Sequence, residues 1–194
     1  MGASNNFLNW VRPTTLRVTA GSHGVLVERA RLQQVVHGFT EFYAGLLAEY
    51  RSQRRYPINS GMQIRITGTD DPSEVDVDAA VVPAFSAAAP DPDHPERDTI
   101  VWMDTLSLPE TPHLASFFTE LDRWFAAIDP AEATVRVEWS KRWGYADGVA
   151  WRSSEHLAQT KASLPGWDAA VEVLHRHEPH KVFVTDLHEL LGID

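Results

Sequence analysis

The sequence has no cysteine in its 194 residues. That excludes disulfides, thiolate nucleophiles and cysteine-ligated zinc or iron–sulfur centres together. Cations are also scarce, with 17 Lys and Arg against 27 Asp and Glu, for a formal charge of −10. A field of that sign repels phosphate backbones, so general nucleic-acid binding is disfavoured. No apolar run approaches the roughly 18 residues that a membrane-spanning helix needs. Met1 to Asn6 holds no basic region leading into an apolar stretch, so a secretory leader is not expected and a cytoplasmic location is. The Met1-Gly2 start would suit acylation, but Asn6 stands where Ser or Thr is required. A glycine-rich phosphate loop, His-Glu-x-x-His and Gly-x-Ser-x-Gly are missing too. His175 and His177 lie two apart in a helical pattern and diverge, so with His180 they are not expected to hold a metal.

What remains is an ordinary foldable chain, 43% hydrophobic and 23% charged, of a length that suits one domain. Short strands are expected at 16–18 and 25–27 around the turn Gly21-Ser22-His23-Gly24. A long helix follows, because Leu32, Val35, Val36, Phe39, Tyr43, Leu46, Leu47 and Tyr50 recur every three or four residues. Gly38 and Gly45 inside it cost about 1 kcal/mol each against Ala. Residues 62–67 alternate apolar and polar, 79–85 and 99–108 are further strand candidates, and 133–139 is another. Thr111-Pro112 reads as an N-cap and first helical position before the stripe Leu114, Phe117, Phe118, Leu121, Trp124, Phe125, Ile128. Ala87 to Pro95, with three prolines, reads as an exposed loop. The expected fold is α+β: a mainly antiparallel sheet covered by helices on one face, with a helical C-terminal tail at 154–163, 167–177 and 185–191. Residues 1–15 read as a frayed start, 16–145 as the α+β domain and 146–194 as the tail.

Three constellations could carry chemistry. Gln63 and Arg65 share one strand face, where a guanidinium could hold a carboxylate or carbonyl; a plain polar outer face, which strands often have, is the alternative that spacing alone favours. Glu138-Trp139-Ser140-Lys141-Arg142-Trp143 sets a carboxylate, two cations and two tryptophans at a strand end; an ion-paired terminus is the alternative. Asp104 shares the apolar face of Trp102 and Leu106, so its carboxylate is paired, protonated, at a site, or at an edge with its head in water.

These stretches, taken in order, resemble the substrate-binding (cap) region of vanillyl-alcohol-oxidase-type flavoproteins, in particular the bacterial covalent-flavin cholesterol oxidases. The likeness is carried by residues 56–65 (Tyr-Pro-Ile-Asn-Ser-Gly-Met-Gln-Ile-Arg), Asp70-Asp71-Pro72, residues 101–106, Glu138-Trp139-Ser140-Lys141 and residues 179–183. It implies a cap that roofs a pocket over the flavin ring and binds a bulky apolar, sterol-like molecule. Gln63, Arg65, Asp104, Glu138 and Lys141 would face substrate or flavin, with Trp102, Trp139 and Trp143 as pocket wall. In the family, the strand resembling 62–67 usually reads Glu-x-Arg. Here Gln63 replaces the acid, so a charge relationship within the strand is lost. Lys141 would stand near the flavin's pyrimidine edge and favour anionic reduced flavin by its charge.

The flavin-binding half precedes the cap in this family, and residues 1–15 cannot supply its pyrophosphate loop. The expectation is therefore that this chain alone binds no cofactor and holds no catalytic residue or metal, FAD arriving only with a partner flavin domain. The alternative is a free-standing α+β small-molecule-binding module, as a homodimer, without catalysis.

Overall fold

The computed structural model describes residues 18–139, 141, 154–182, 184, 188 and 192. Four strands, β1 (Thr19–Val27), β2 (Met62–Gly68), β3 (Thr99–Ser107) and β4 (Thr134–Val137), form one sheet in the order β2-β3-β1-β4, antiparallel throughout. Helices α1 (Leu32–Ser52) and α2 (Leu114–Ala126) cover one face; α3 (Ser154–Ala162) and α4 (Trp167–His177) form the tail. This is the expected α+β arrangement.

The helix-covered face follows from alternation. Val25 and Val27 of β1 and Val101 and Met103 of β3 point into one core with Phe39, Tyr43 and Leu46 of α1 and Phe117, Phe118, Leu121 and Phe125 of α2. The register sets Val25 opposite Val101 and His23 opposite Met103, so the two valines pair directly across the strands. On this side the His23 ring stacks on Phe125 at 4.1 Å, and its Nε2 is 3.9 Å from Asp122 Oδ1.

Several local expectations need correction. Gly21-Ser22-His23-Gly24 is not a turn but the middle of the nine-residue β1, paired along its length with β3. Gly24 lets the indole pack closely on the strand: a Cβ there would lie 3.3 Å from the Trp102 ring, which would have to shift by a few tenths of an ångström. Residues 79–85 form turns rather than a strand, as Pro83, one of five prolines from residue 72 to residue 95, suits. The loop at 87–95 is irregular as expected but not exposed at its start. Ala87, Ala88 and Ala89 are 4%, 6% and 0% accessible, pressed on the outer sheet face beside Leu26, Ile100 and Trp102. Their carbonyls stay satisfied because buried Arg136 donates to Ala87 and Ala89 and the Asp70 amide to Ala88. Thr111 does not cap α2. Its hydroxyl donates to the Leu108 carbonyl at 2.7 Å, and the helix starts after His113 in the left-handed region (φ 66°). On β2 only Ile64 packs on the core; Met62 and Ile66 are 37% and 53% exposed, because the helices do not reach over this edge strand.

The tail has its own cluster. Leu157, Leu164 and Trp167 close over Val137, with Phe85, Trp139 and Val171 at the margin. α4 spans the 167–177 expected, and α3 ends one residue short of the expected 163. Trp143 and most of 185–191 lie outside the described residues.

Candidate functional site

The outer sheet face divides along its length. Toward Leu26 and Ile100 it is closed by the 87–89 loop. The other end carries a cross-strand polar row. The register sets Ser22 opposite Asp104 and Asp104 opposite Gln63, and the Glu138 amide extends the row by donating to the Ser22 carbonyl at 3.3 Å. One step along β3, Trp102 lies opposite Gly24 and Arg65. On the other side are Ala20 and Leu106, also opposed.

The structure thus brings Gln63, Arg65, Trp102 and Asp104 onto one patch. Arg65 Nη2 donates to Asp104 Oδ2 at 2.8 Å, with the arginine side chain 46% exposed and the aspartate 4%. The guanidinium carbon is 5.8 Å from the Trp102 ring centroid, and the indole Nε1 donates to Thr67 Oγ1 at 2.9 Å. The indole is thereby held as a wall, by the guanidinium over its ring and a hydrogen bond at its edge. Of the alternatives for Asp104, paired and buried is what the geometry shows. Arg65 takes its acid from the neighbouring strand rather than from position 63.

Glu138 lies at the row's far end, half-buried, and its carbonyl accepts the Lys141 amide at 3.0 Å, so a turn follows β4 directly. Trp139 does not join the patch. Its indole Nε1 donates to the Phe85 carbonyl at 2.8 Å and its ring lies 6.3 Å from Trp167, so it belongs to the tail's cluster. Sequence reasoning missed Ser22, because the glycines on either side suggest a turn. The available signal was length: nine residues of β1 match nine of β3.

Two cavities, of about 460 and 550 Å³, lie elsewhere: one among α2, β4 and α3, the other between the end of β2 and residues 90–99. The first is bordered by Arg136, whose pKa burial pulls down to about 10 against the opposing charge of Asp91. Asp91 itself titrates below the ordinary carboxylate range. Burial pushes it up, but hydrogen bonds from the Thr134 hydroxyl and the Asp93 amide, with the charges of Arg136 and His94, outweigh that. Among the described residues, no three His, Asp or Glu side chains are grouped to hold a metal, and no helix is long and apolar enough to cross a membrane.

The family model for the substrate-binding domain of cholesterol oxidase matches residues 1–192. Among solved structures, a solvent-stable cholesterol oxidase is similar with 42% identity and a TM-score of 0.83, over 94% of this chain and 36% of that one. The cholesterol oxidase of B. sterolicum is similar with 30% identity and a TM-score of 0.82, over 94% of this chain and 35% of that one. The chain therefore spans about a third of the length of the solved oxidases it matches. A search of curated proteins finds no match. By the match along nearly its whole length, the chain belongs to the cholesterol oxidase substrate-binding family.

Proposed function

We infer that the outer sheet face binds a hydroxylated, bulky apolar molecule of the sterol type and presents it to a flavin held by a flavin-binding domain outside these 194 residues. The observation that carries this reading is the patch itself: a half-exposed arginine anchored by a buried aspartate, beside a fixed indole wall, on the sheet face opposite α1 and α2. Apolar wall with few convergent polar groups is the usual make-up of a small-molecule site.

The flavin that the family implies can be tested against the donor set. Arg65 on the patch and Lys141 just past Glu138 are side-chain cations, suited to the carbonyl-rich edge of a flavin ring. The sequence holds no Gly-x-Gly-x-x-Gly turn for a pyrophosphate. The residues fit the ring-facing side of such a site, with Arg65 and Lys141 as those that would hold the ring edge. A bound flavin supplies the hydride acceptor for alcohol oxidation. The chain's own part is to bind the alcohol, orient it against Trp102 and keep water from it.

Binding of cholesterol, delivered from cyclodextrin to the purified chain, tests this by tryptophan fluorescence, since Trp102 lies in the patch. Saturable quenching that Arg65→Ala weakens several-fold supports the reading; no binding overturns it. The absorbance spectrum of the same sample tests the cofactor assignment, because stoichiometric flavin on this chain alone would overturn the need for a second domain.

A second reading, a self-associating binding module, is favoured by one observation. The edge strand β2 exposes Met62 and Ile66 on the side that the other strands bury. Sedimentation at micromolar concentration separates the two, and a clean monomer removes the second.

A further inference from the structure

Two polar atoms on the outer face have no hydrogen-bond partner although both are buried: Ser22 Oγ and Asp104 Oδ1. Their residues are 1% and 3% accessible. They are also direct cross-strand neighbours, residue 22 opposite residue 104 in the β1–β3 register, with both side chains on the same face. Such pairs set their Cβ atoms roughly 4.5–5.5 Å apart. A buried polar atom without a partner has given up its hydration with nothing in return. Two of them side by side mark a place where a partner belongs.

The rest of Asp104 is already committed, since Oδ2 is held by Arg65 at 2.8 Å. The free atoms are therefore one carboxylate oxygen, an acceptor, and one hydroxyl, which both donates and accepts. The group that satisfies both at once must donate to the carboxylate and accept from the serine, which is the hydrogen-bonding capacity of a single alcohol. The surroundings set the remainder of the ligand. Ala20 and Leu106 flank the pair along the strands on one side, and Gly24 with the Trp102 indole on the other. One polar slot between apolar neighbours suits a molecule with one hydroxyl on a broad apolar body.

We propose that Ser22 and Asp104 form a hydroxyl-recognition slot, in which the ligand's hydroxyl donates to Asp104 Oδ1 and accepts from the Ser22 hydroxyl. Arg65 then has a positioning role: by holding Oδ2 it turns Oδ1 toward Ser22. This rests on the reading of the outer face as the steroid site and adds to it the pair of residues that read the alcohol. No covalent step is involved.

The test compares two ligands that differ only at the hydroxyl, cholesterol and cholest-5-ene, each delivered from cyclodextrin to the full chain. The slot predicts that the wild type prefers cholesterol by about tenfold or more, since the analogue leaves both buried groups unpaired. Ser22→Ala should lower cholesterol affinity several-fold and leave cholest-5-ene affinity unchanged. A thermal scan of the same variant guards against misfolding. Removing an orphaned buried hydroxyl should keep or raise Tm in the free chain, an outcome that a merely structural serine would not give. Equal affinity of the wild type for both ligands overturns the slot while leaving the steroid site standing, as would be the case if ordered water filled it. Equal loss of both ligands in Ser22→Ala overturns it as well. Binding of neither ligand by the wild type overturns the steroid site and the slot with it.

Discussion

Arg136→Met is the substitution in which two opposing effects on the fold can be weighed against each other. Arg136 is 2% accessible and joins three separate segments. Nε donates to the Ser163 carbonyl at the end of α3 at 2.7 Å, and Nη1 to the Ala89 carbonyl and, at 3.4 Å, to that of Ala87. Two close hydrogen bonds from a charged donor are each worth about 1.5–3 kcal/mol, and the long one about 1. Removing them costs about 4–7 kcal/mol. Against this, burial pulls the guanidinium's pKa down to about 10, which corresponds to roughly 3 kcal/mol of lost solvation that methionine would regain. Nη2, buried without a partner, belongs to the same cost. The difference leaves the arginine a net stabiliser by about 1–4 kcal/mol. In a chain of this size that is a fall in Tm of roughly 3–12 °C. Urea unfolding of wild type and Arg136→Met gives the number directly. An equal or higher midpoint in the variant would refute the reasoning, since burial cost would then outweigh the bonds. The 87–89 loop closes the outer face beside Trp102, so under the proposed reading of that face cholesterol affinity should weaken along with stability.

Gly166→Ala should destabilise by about 1–3 kcal/mol, because the added Cβ would lie 2.9 Å from Ala84 Cβ and 3.0 Å from its Cα, and backbone cannot yield cheaply. Gly38→Ala, on the exposed side of α1 with nothing within 4 Å, should instead stabilise by up to about 1 kcal/mol; thermal melts of the pair give opposite signs or the packing argument is wrong. Asp91 titrates below the ordinary carboxylate value, so its contribution is full above about pH 4 and is lost as pH falls through the lower folded value. Asp91→Asn should flatten that part of an acid unfolding profile; an unchanged slope would remove Asp91 from the account.

Legibility in the sequence followed the range of the interaction. The stripe of α1 and the bounds of α4 are local, set by residues three and four apart, and both were readable. So was the shared face of Trp102, Asp104 and Leu106, which period-two alternation dictates. The misreadings all turn on partners far along the chain. Gly21 to Gly24 look like a turn until the matching length of β3, some eighty residues on, pulls them straight. Ala87 to Ala89 look exposed until Arg136 and the Asp70 amide supply donors for their carbonyls. Thr111 looks like a cap, but its hydroxyl bonds the Leu108 carbonyl and accepts from Asn59. The Arg65–Asp104 pair joins residues on different strands, and only register reveals it.

That register also explains why glutamine suits position 63. The family strand that 62–67 resembles usually reads Glu-x-Arg, which places the acid beside its arginine on one strand. Here Gln63 sits directly opposite Asp104, and Asp104 already holds Arg65. A glutamate at 63 would set two acidic side chains directly across from each other, their Cβ atoms about 5 Å apart. With position 63 exposed and Asp104 buried, an effective dielectric between about 20 and 80 gives roughly 1–3 kcal/mol of repulsion, part of it offset by Arg65 between them. One arginine then has room for one acid, and the strand that carries the acid decides what the other must be. The double-mutant cycle tests this. Gln63→Glu alone should destabilise by about 1 kcal/mol or more at low salt, and less at high salt as screening rises. Asp104→Asn alone should destabilise by removing the partner of Arg65. Gln63→Glu with Asp104→Asn should be more stable than the sum of the singles predicts, because the new glutamate regains Arg65 and loses its opponent. Additivity within about 0.5 kcal/mol would mean that the two positions do not share the arginine, and the exchange of acid between strands would be no more than coincidence.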